Sequence, residues 1–101
     1  MSKLIPEQLI NEIPPLYATE ELKDDAKVCH VKLFTSSNWS WYIIEISDDK
    51  DICFGYVQGL ESELGYFSLE ELESLKGPLG LHVEMDLSFE PTLLSKVKNE
   101  T

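Results

Sequence analysis

The stretch from Val28 to Leu75 limits what this chain can fold into more than any other part of it. It reads V-C-H-V-K-L-F-T, S-S-N, W-S-W-Y-I-I-E-I-S, D-D-K-D and I-C-F-G-Y-V. Apolar and aromatic runs separated by short polar clusters are how the strands of an antiparallel meander are written. An acidic turn and an amphipathic helix with its own start signal follow, in L-E-S-E-L-G-Y-F-S-L-E-E-L-E-S-L. At 101 residues the chain can build one core without crosslinks, so a single domain over 1–101 is expected.

Alternation assigns the faces of the three strands, which together span 28–58. In Val28–Thr35, Cys29, Val31 and Leu33 oppose Val28, His30, Lys32 and Phe34. Ser36-Ser37-Asn38 is a turn whose side chains can bond their own backbone. In Trp39–Ser47, Trp39, Trp41, Ile43 and Glu45 share one face, and Ser40, Tyr42, Ile44 and Ile46 the other. Both faces are largely apolar, which predicts a central strand with one face in the core and the other at least partly covered. In the third strand Ile52, Phe54, Tyr56 and Gln58 oppose Cys53, Gly55 and Val57. Gly55 predicts a bulge or room for a large neighbour, a tryptophan by preference. Tyr66-Phe67 reads as a short fourth strand.

Ser68 and Glu71 have the spacing of a capping box and open a helix over 68–76. Leu69, Leu72 and Leu75 form its inward stripe, Glu70, Glu71 and Glu73 point out, and Gly77 and Pro78 end it. A short N-terminal helix is expected over 1–13, with Pro6 in its first turn and Pro14-Pro15 as its stop. Leu16 and Tyr17 are expected to pin the next loop to the core, and 18–27 to be a polar loop or frayed turn. Residues 79–89 alternate loosely and read as a last, edge strand. Pro91 could start a helical turn through Leu93, Leu94 and Val97, and 96–101 should fray. The expected fold is α+β: an antiparallel meander of three to five strands with the two helices packed on it.

The net charge of −11 disfavours direct contact with nucleic-acid phosphates or an anionic membrane, since both need cationic patches. It favours a protein partner with a basic surface. The run Glu61, Glu63, Glu70, Glu71 and Glu73 contains no base and is the candidate contact surface, with Trp39, Trp41, Tyr42 and Tyr66 as aromatic anchors. Dense carboxylates can imitate the phosphates of DNA and occupy a DNA-binding cleft. No apolar run has signal-peptide or membrane-span length, so a cytoplasmic protein is expected. The oligomeric state stays open.

No cofactor, metal site or catalytic residue is assigned. Cys29 and His30 are adjacent and point to opposite faces of a strand, unlike paired zinc ligands. Cys29 and Cys53 are expected as buried free thiols; a disulfide would need oxidising surroundings that nothing else implies. Glu45 is expected to face water at its strand end or to pair with Lys32 across the hairpin. An alternative function uses it as the acid of a small ligand-binding or hydrolytic pocket lined by Trp39, Trp41 and Tyr66. A structural or assembly subunit is the third reading.

Four blocks carry a family resemblance: I-P-P-L-Y-A-T-E over 13–20, K-L-F-T-x-x-N-W-x-W-Y over 32–42, F-G-Y-V-x-G-L-E-x-E-L-G-Y-F-S-L-x-E-L over 54–72, and G-P-L-G-L-x-x-E-x-D-L-x-F over 77–89. In these the chain resembles a bacterial domain-of-unknown-function family, the one numbered twenty-nine fifty-eight. The resemblance supplies no activity. It implies small acidic proteins of plasmids, phages and other mobile elements, where such proteins often inhibit host defence. The leading expectation is therefore a non-enzymatic, acidic protein-binding module of a mobile element, an inhibitor of a host defence or DNA-binding protein.

Overall fold

The computed structural model describes residues 3–75 and 82–100. Along the chain run helix α1 (Glu7–Ile10), a 3-10 turn (Asp24–Ala26), strands β1 (Val28–Cys29), β2 (Val31–Phe34), β3 (Ser40–Ile46), β4 (Ile52–Gln58) and β5 (Ser62–Ser68), helix α2 (Leu69–Ser74), strands β6 (Glu84–Met85) and β7 (Thr92–Leu93), and helix α3 (Leu94–Asn99). Five strands form one antiparallel sheet in the order β5-β4-β3-β2-β6, while β1 and β7 pair separately. The fold is α+β and mostly sheet.

β3 lies at the centre because both of its faces are apolar, and every residue from Trp41 to Ile46 is buried. One face packs Trp41, Ile43 and Ile46 with Val31, Leu33 and Cys53 beneath Ile5, Ile10 and Ile13 of the N-terminal segment and Leu69 and Leu72 of α2. The other packs Tyr42, Ile44 and Tyr56 with Cys29 beneath Leu94 and Val97 of α3. Each fully buried Leu, Ile or Val contributes about 1.5–3 kcal/mol, so both layers are needed to hold a domain of this size.

Two irregularities on either side of Ile43 reassign the faces that strict alternation gives. His30 N–H donates to Ile43 O (2.8 Å), while Val31 is already the partner of Ile43, so two residues face one. That offset sends Cys29 to the α3 side, away from Val31 and Leu33. Between Ile43 and Glu45 the register with β4 also shifts, from Ile43 opposite Gly55 to Glu45 opposite Phe54. Ile46 thereby joins the tryptophan face, and Glu45 leaves it. Gly55 marks this bulge: a Cβ there would lie 2.0 Å from Tyr42 O, so backbone and not a tryptophan excludes a side chain. The tryptophan's glycine is Gly59, where a Cβ would meet the Trp39 ring at 2.2 Å.

The turns form where their residues tolerate them. Asn38 (φ 72°) and Lys50 (φ 63°) both take the left-handed region, closing the β2–β3 and β3–β4 connections. In the second, Ser47 Oγ accepts from Ile52 N–H (2.9 Å) and donates to Asp49. That Ser47 bond, with the Asp51 N–H, holds the Asp49 carboxyl below its usual pKa.

Several boundaries differ from expectation. α1 is one turn, and Pro6 precedes it at the cap position. The fourth strand spans seven residues, Ser62–Ser68, because it pairs with β4 along its whole length. α2 ends at Ser74, leaving Leu75 exposed while Leu69 and Leu72 are buried. In the described part of the expected strand over 79–89, residues 82–89, only Glu84–Met85 pairs as a strand, against β2, and the chain bends at once through Asp86–Ser88. The expected Gly77 cap and Pro78 stop lie outside the described residues. The tail does not fray from residue 96: α3 continues to Asn99, anchored by the buried Leu94 and Val97.

Candidate functional site

β4, β5 and α2 form one continuous unit, and from Asp51 to Leu75 it contains no lysine, arginine or histidine. Glu61 lies in the β4–β5 turn and Glu63 near the start of β5 opposite Val57. Glu70, Glu71 and Glu73 follow on α2. All five are exposed. Glu63 and Ser68 are five residues apart, roughly 17 Å of strand, so the acids frame β5 at both ends. Among the described residues the ion pairs are Lys32–Asp86, Lys96–Glu100 and Lys98–Asp25, and none involves these five glutamates. Glu73 accepts the Lys3 backbone N–H (3.1 Å).

The helix is fixed to the sheet by more than its own cap. Ser68 Oγ accepts from Glu71 N–H (3.2 Å), half of the expected capping box. Asp51, at the start of β4, supplies the rest. Its carboxylate accepts from Ser68 Oγ (2.8 Å) and Glu70 N–H (2.9 Å), and its carbonyl from Leu69 N–H (2.9 Å). A carboxylate here also suits the positive end of the helix. Asp51 was legible only as a turn residue, since its role depends on pairing across the hairpin.

The four aromatic anchors do not form one patch. Trp41 and Tyr42 are buried in opposite clusters, so their assignment as anchors is corrected. Trp39 stacks on Trp41, ring centroids 6.0 Å apart, and keeps 37% of its surface exposed. Tyr66 is 57% exposed and packs on Phe54 (5.1 Å) on the other side of the sheet. The same face of the sheet carries exposed Ile52 and half-buried Phe54 and Leu64, and exposed Tyr17 lies close to Tyr66.

Glu45 neither faces water nor pairs with Lys32, and it does not stand beside the tryptophans. The bulge turns it to the Phe54 side, where it is 3% exposed. It accepts from Tyr17 N–H (2.8 Å), Thr19 N–H (2.9 Å) and the Thr19 hydroxyl. Lys27, also buried, donates to Thr19 O and stands close enough to act on Glu45 by its charge. Burial pushes the Glu45 carboxyl up, but the hydrogen bonds from Thr19 and Tyr17 and the Lys27 charge outweigh it and hold the pKa below its usual value. A carboxylate so occupied organises the 17–27 loop. It also explains how Tyr17 is held at φ 73°: its N–H, not its ring, pins the loop.

Lys32 instead lies over the Tyr42 ring (5.5 Å) and 4.0 Å from Asp86, beside an open groove of about 380 Å³ that Phe89 and Glu90 also line. A smaller depression lies near His30, and an open one of about 460 Å³ lies beside Ser68, lined also by Glu70 and Glu71. Glu45, Trp39, Trp41 and Tyr66 line none of these. Burial lowers the His30 pKa against an opposing pull from Glu12. Cys29 and Cys53 are free thiols in opposite clusters, and burial pushes both up to about 12. Among the described residues no three His, Cys, Asp or Glu side chains gather as a metal site needs, and no helix is long and apolar enough to cross a membrane.

Fold and site together define a small α+β domain, mostly sheet, with an exposed acidic strand–helix unit along one edge. The chain belongs to the family described as "Protein of unknown function (DUF2958)", whose model matches residues 4–97. No curated protein and no solved structure matches the chain.

Proposed function

We propose that this protein is a non-enzymatic binding module that engages the basic surface of another protein through Glu61, Glu63, Glu70, Glu71 and Glu73, with Tyr66 or Trp39 as the aromatic anchor. The observation that carries the reading is the absence of any cation from Asp51 to Leu75, in a unit whose five glutamates are all exposed. Elsewhere Lys27, Lys32, Lys96 and Lys98 all engage acidic or acceptor groups. Carboxylates left unpaired in water gain free energy when a cationic surface meets them, and steer it in as well. In the mobile-element setting that the family resemblance implies, the fitting target is a cytoplasmic defence or DNA-binding protein whose phosphate-binding site the acids would fill. The pocket of the alternative reading has less support, because Glu45 is turned away from the tryptophans and its oxygens are taken.

Capture of partners from host lysate, identified by mass spectrometry and followed by affinity measurement at low and high salt, tests this. Binding is expected to weaken as salt rises and to weaken further when the five glutamates are replaced by glutamine. An affinity indifferent to both changes rejects the charged contact.

A further inference from the structure

Of the two edges of the described five-stranded sheet, β5 is the longer. Gly59 N–H bonds Glu61 O (3.1 Å) and Leu69 N–H bonds Asp51 O (2.9 Å). Both pairs lie in the same register as Gly55 opposite Gly65, so the odd-numbered residues of β5 bond to β4. The N–H and C=O groups of Ser62, Leu64 and Tyr66 therefore point outward, where no described residue pairs with them. Edge strands are commonly guarded by shortness, charged side chains, proline or bulges. The opposite edge, β6, is two residues long. β5 has seven, no proline, an unbroken register and a single charged side chain, Glu63.

We propose that this edge receives an extended basic segment of the partner as an added antiparallel strand; the inference rests on the acidic protein-binding reading above and names its mode. Main-chain bonds at Ser62, Leu64 and Tyr66 supply affinity, and the side chains set the pattern. Partner residues opposite Leu64 and Tyr66 share the face that holds Phe54, so they are apolar. Residues opposite Glu63 and Phe67 share the other face, so the one meeting Glu63 is lysine or arginine. Gly65 lies between, with nothing within 4 Å of a Cβ built on it, and leaves room there for a long side chain. An alternating apolar and basic strand fits both faces at once. A second copy of this chain fits poorly, because it brings another −11 of charge and another set of these glutamates to the same edge.

The test uses the full chain and two end-capped peptides of sequence Lys-Thr-Lys-Val-Lys-Val-Lys. In one of them the backbone nitrogens that would face β5 are methylated, which keeps the charge and removes the donors. The unmodified peptide is expected to slow amide exchange at Leu64 and Tyr66, and the methylated one to bind roughly tenfold more weakly or worse. Equal binding of both, with Leu64 and Tyr66 amides unchanged, overturns strand addition and leaves the acidic surface standing. If neither cationic peptide binds at low salt, the acidic-surface reading falls with it. A dimer by light scattering whose Leu64 and Tyr66 amides are already protected gives the edge to a second copy and overturns the proposal.

Discussion

Glu45 and Glu63 sit on the two strands that flank β4, Glu45 opposite Phe54 and Glu63 opposite Val57. One is buried and accepts three hydrogen bonds; the other is exposed and outside every ion pair among the described residues. The difference lies in the backbone around them. β3 carries a register shift that turns Glu45 toward the 17–27 loop, where amide, hydroxyl and ammonium groups converge. β5 runs without a break to the sheet edge, so Glu63 stays in water. Equal chemistry thus serves structure in one place and stays exposed to water in the other.

Removing the buried member should have the largest effect. Glu45→Ala leaves two backbone donors and a hydroxyl without their acceptor, and the buried Lys27 without the nearby opposite charge. Chemical denaturation should show a loss of about 3–5 kcal/mol. Glu45→Gln keeps one acceptor oxygen and should lose less. Equal stability of Glu45→Ala and the natural protein would break the contrast with Glu63 outright.

Gly55→Ala comes next. Its Cβ would press on the Tyr42 carbonyl within the ladder, and strand backbone cannot move aside as a flexible side chain can. A loss on the order of 3 kcal/mol, with broadened resonances around the bulge, is expected. Survival of the variant without loss would mean that the register shift is not rigid.

The pH dependence sharpens the same comparison. The folded-state pKa of Glu45 lies below its ordinary value of 4.5. Its stabilising contribution is therefore complete above the ordinary value, declines as pH falls below it, and is gone once pH has passed through the folded value. Denaturation of the natural protein and of Glu45→Gln should converge as pH is lowered across that window. Curves that stay parallel would count against an ionised Glu45.

Much of this was legible in the residues. The bulky runs and their turns fix the β2–β3–β4 meander, the two-faced apolar β3 announces its central place, and Ser68 starts its helix where the capping spacing sets it. Face assignments failed at Cys29, Glu45 and Ile46 because a bulge shifts the two-residue period without leaving a sign in hydrophobicity. Gly55 was the one visible hint. The acids of 61–73 were visible as charge, but the edge they frame was not, since an outer strand is defined by what does not pair with it. Of β5 the residues alone point to Tyr66-Phe67, because Ser62, Glu63 and Gly65 are weak strand formers that β4 holds in register.

At the partner-binding level the effects are smaller. Glu63→Gln should leave stability within about 0.5 kcal/mol, as exposed substitutions do. It should weaken a cationic partner by severalfold at low salt and by little at high salt. Titration calorimetry at two salt concentrations separates these; a salt-independent loss would point to shape and not charge at this position.

The smallest effect belongs to Gly65, which faces Gly55 directly across the β4–β5 ladder. Identical residues at paired positions invite the view that both are required. Their surroundings differ: a Cβ on Gly55 runs into backbone, and one on Gly65 meets nothing within 4 Å. Gly65→Ala should therefore change stability by no more than about 0.5 kcal/mol. The sign should favour the variant, because the unfolded chain loses freedom that glycine retains. If β5 accepts a partner strand, the added methyl occupies space meant for the partner's side chain, and binding should fall while stability does not. A variant that is destabilised like Gly55→Ala would show that Gly65 is already packed against something, and the open face beside Glu63 would then be closed.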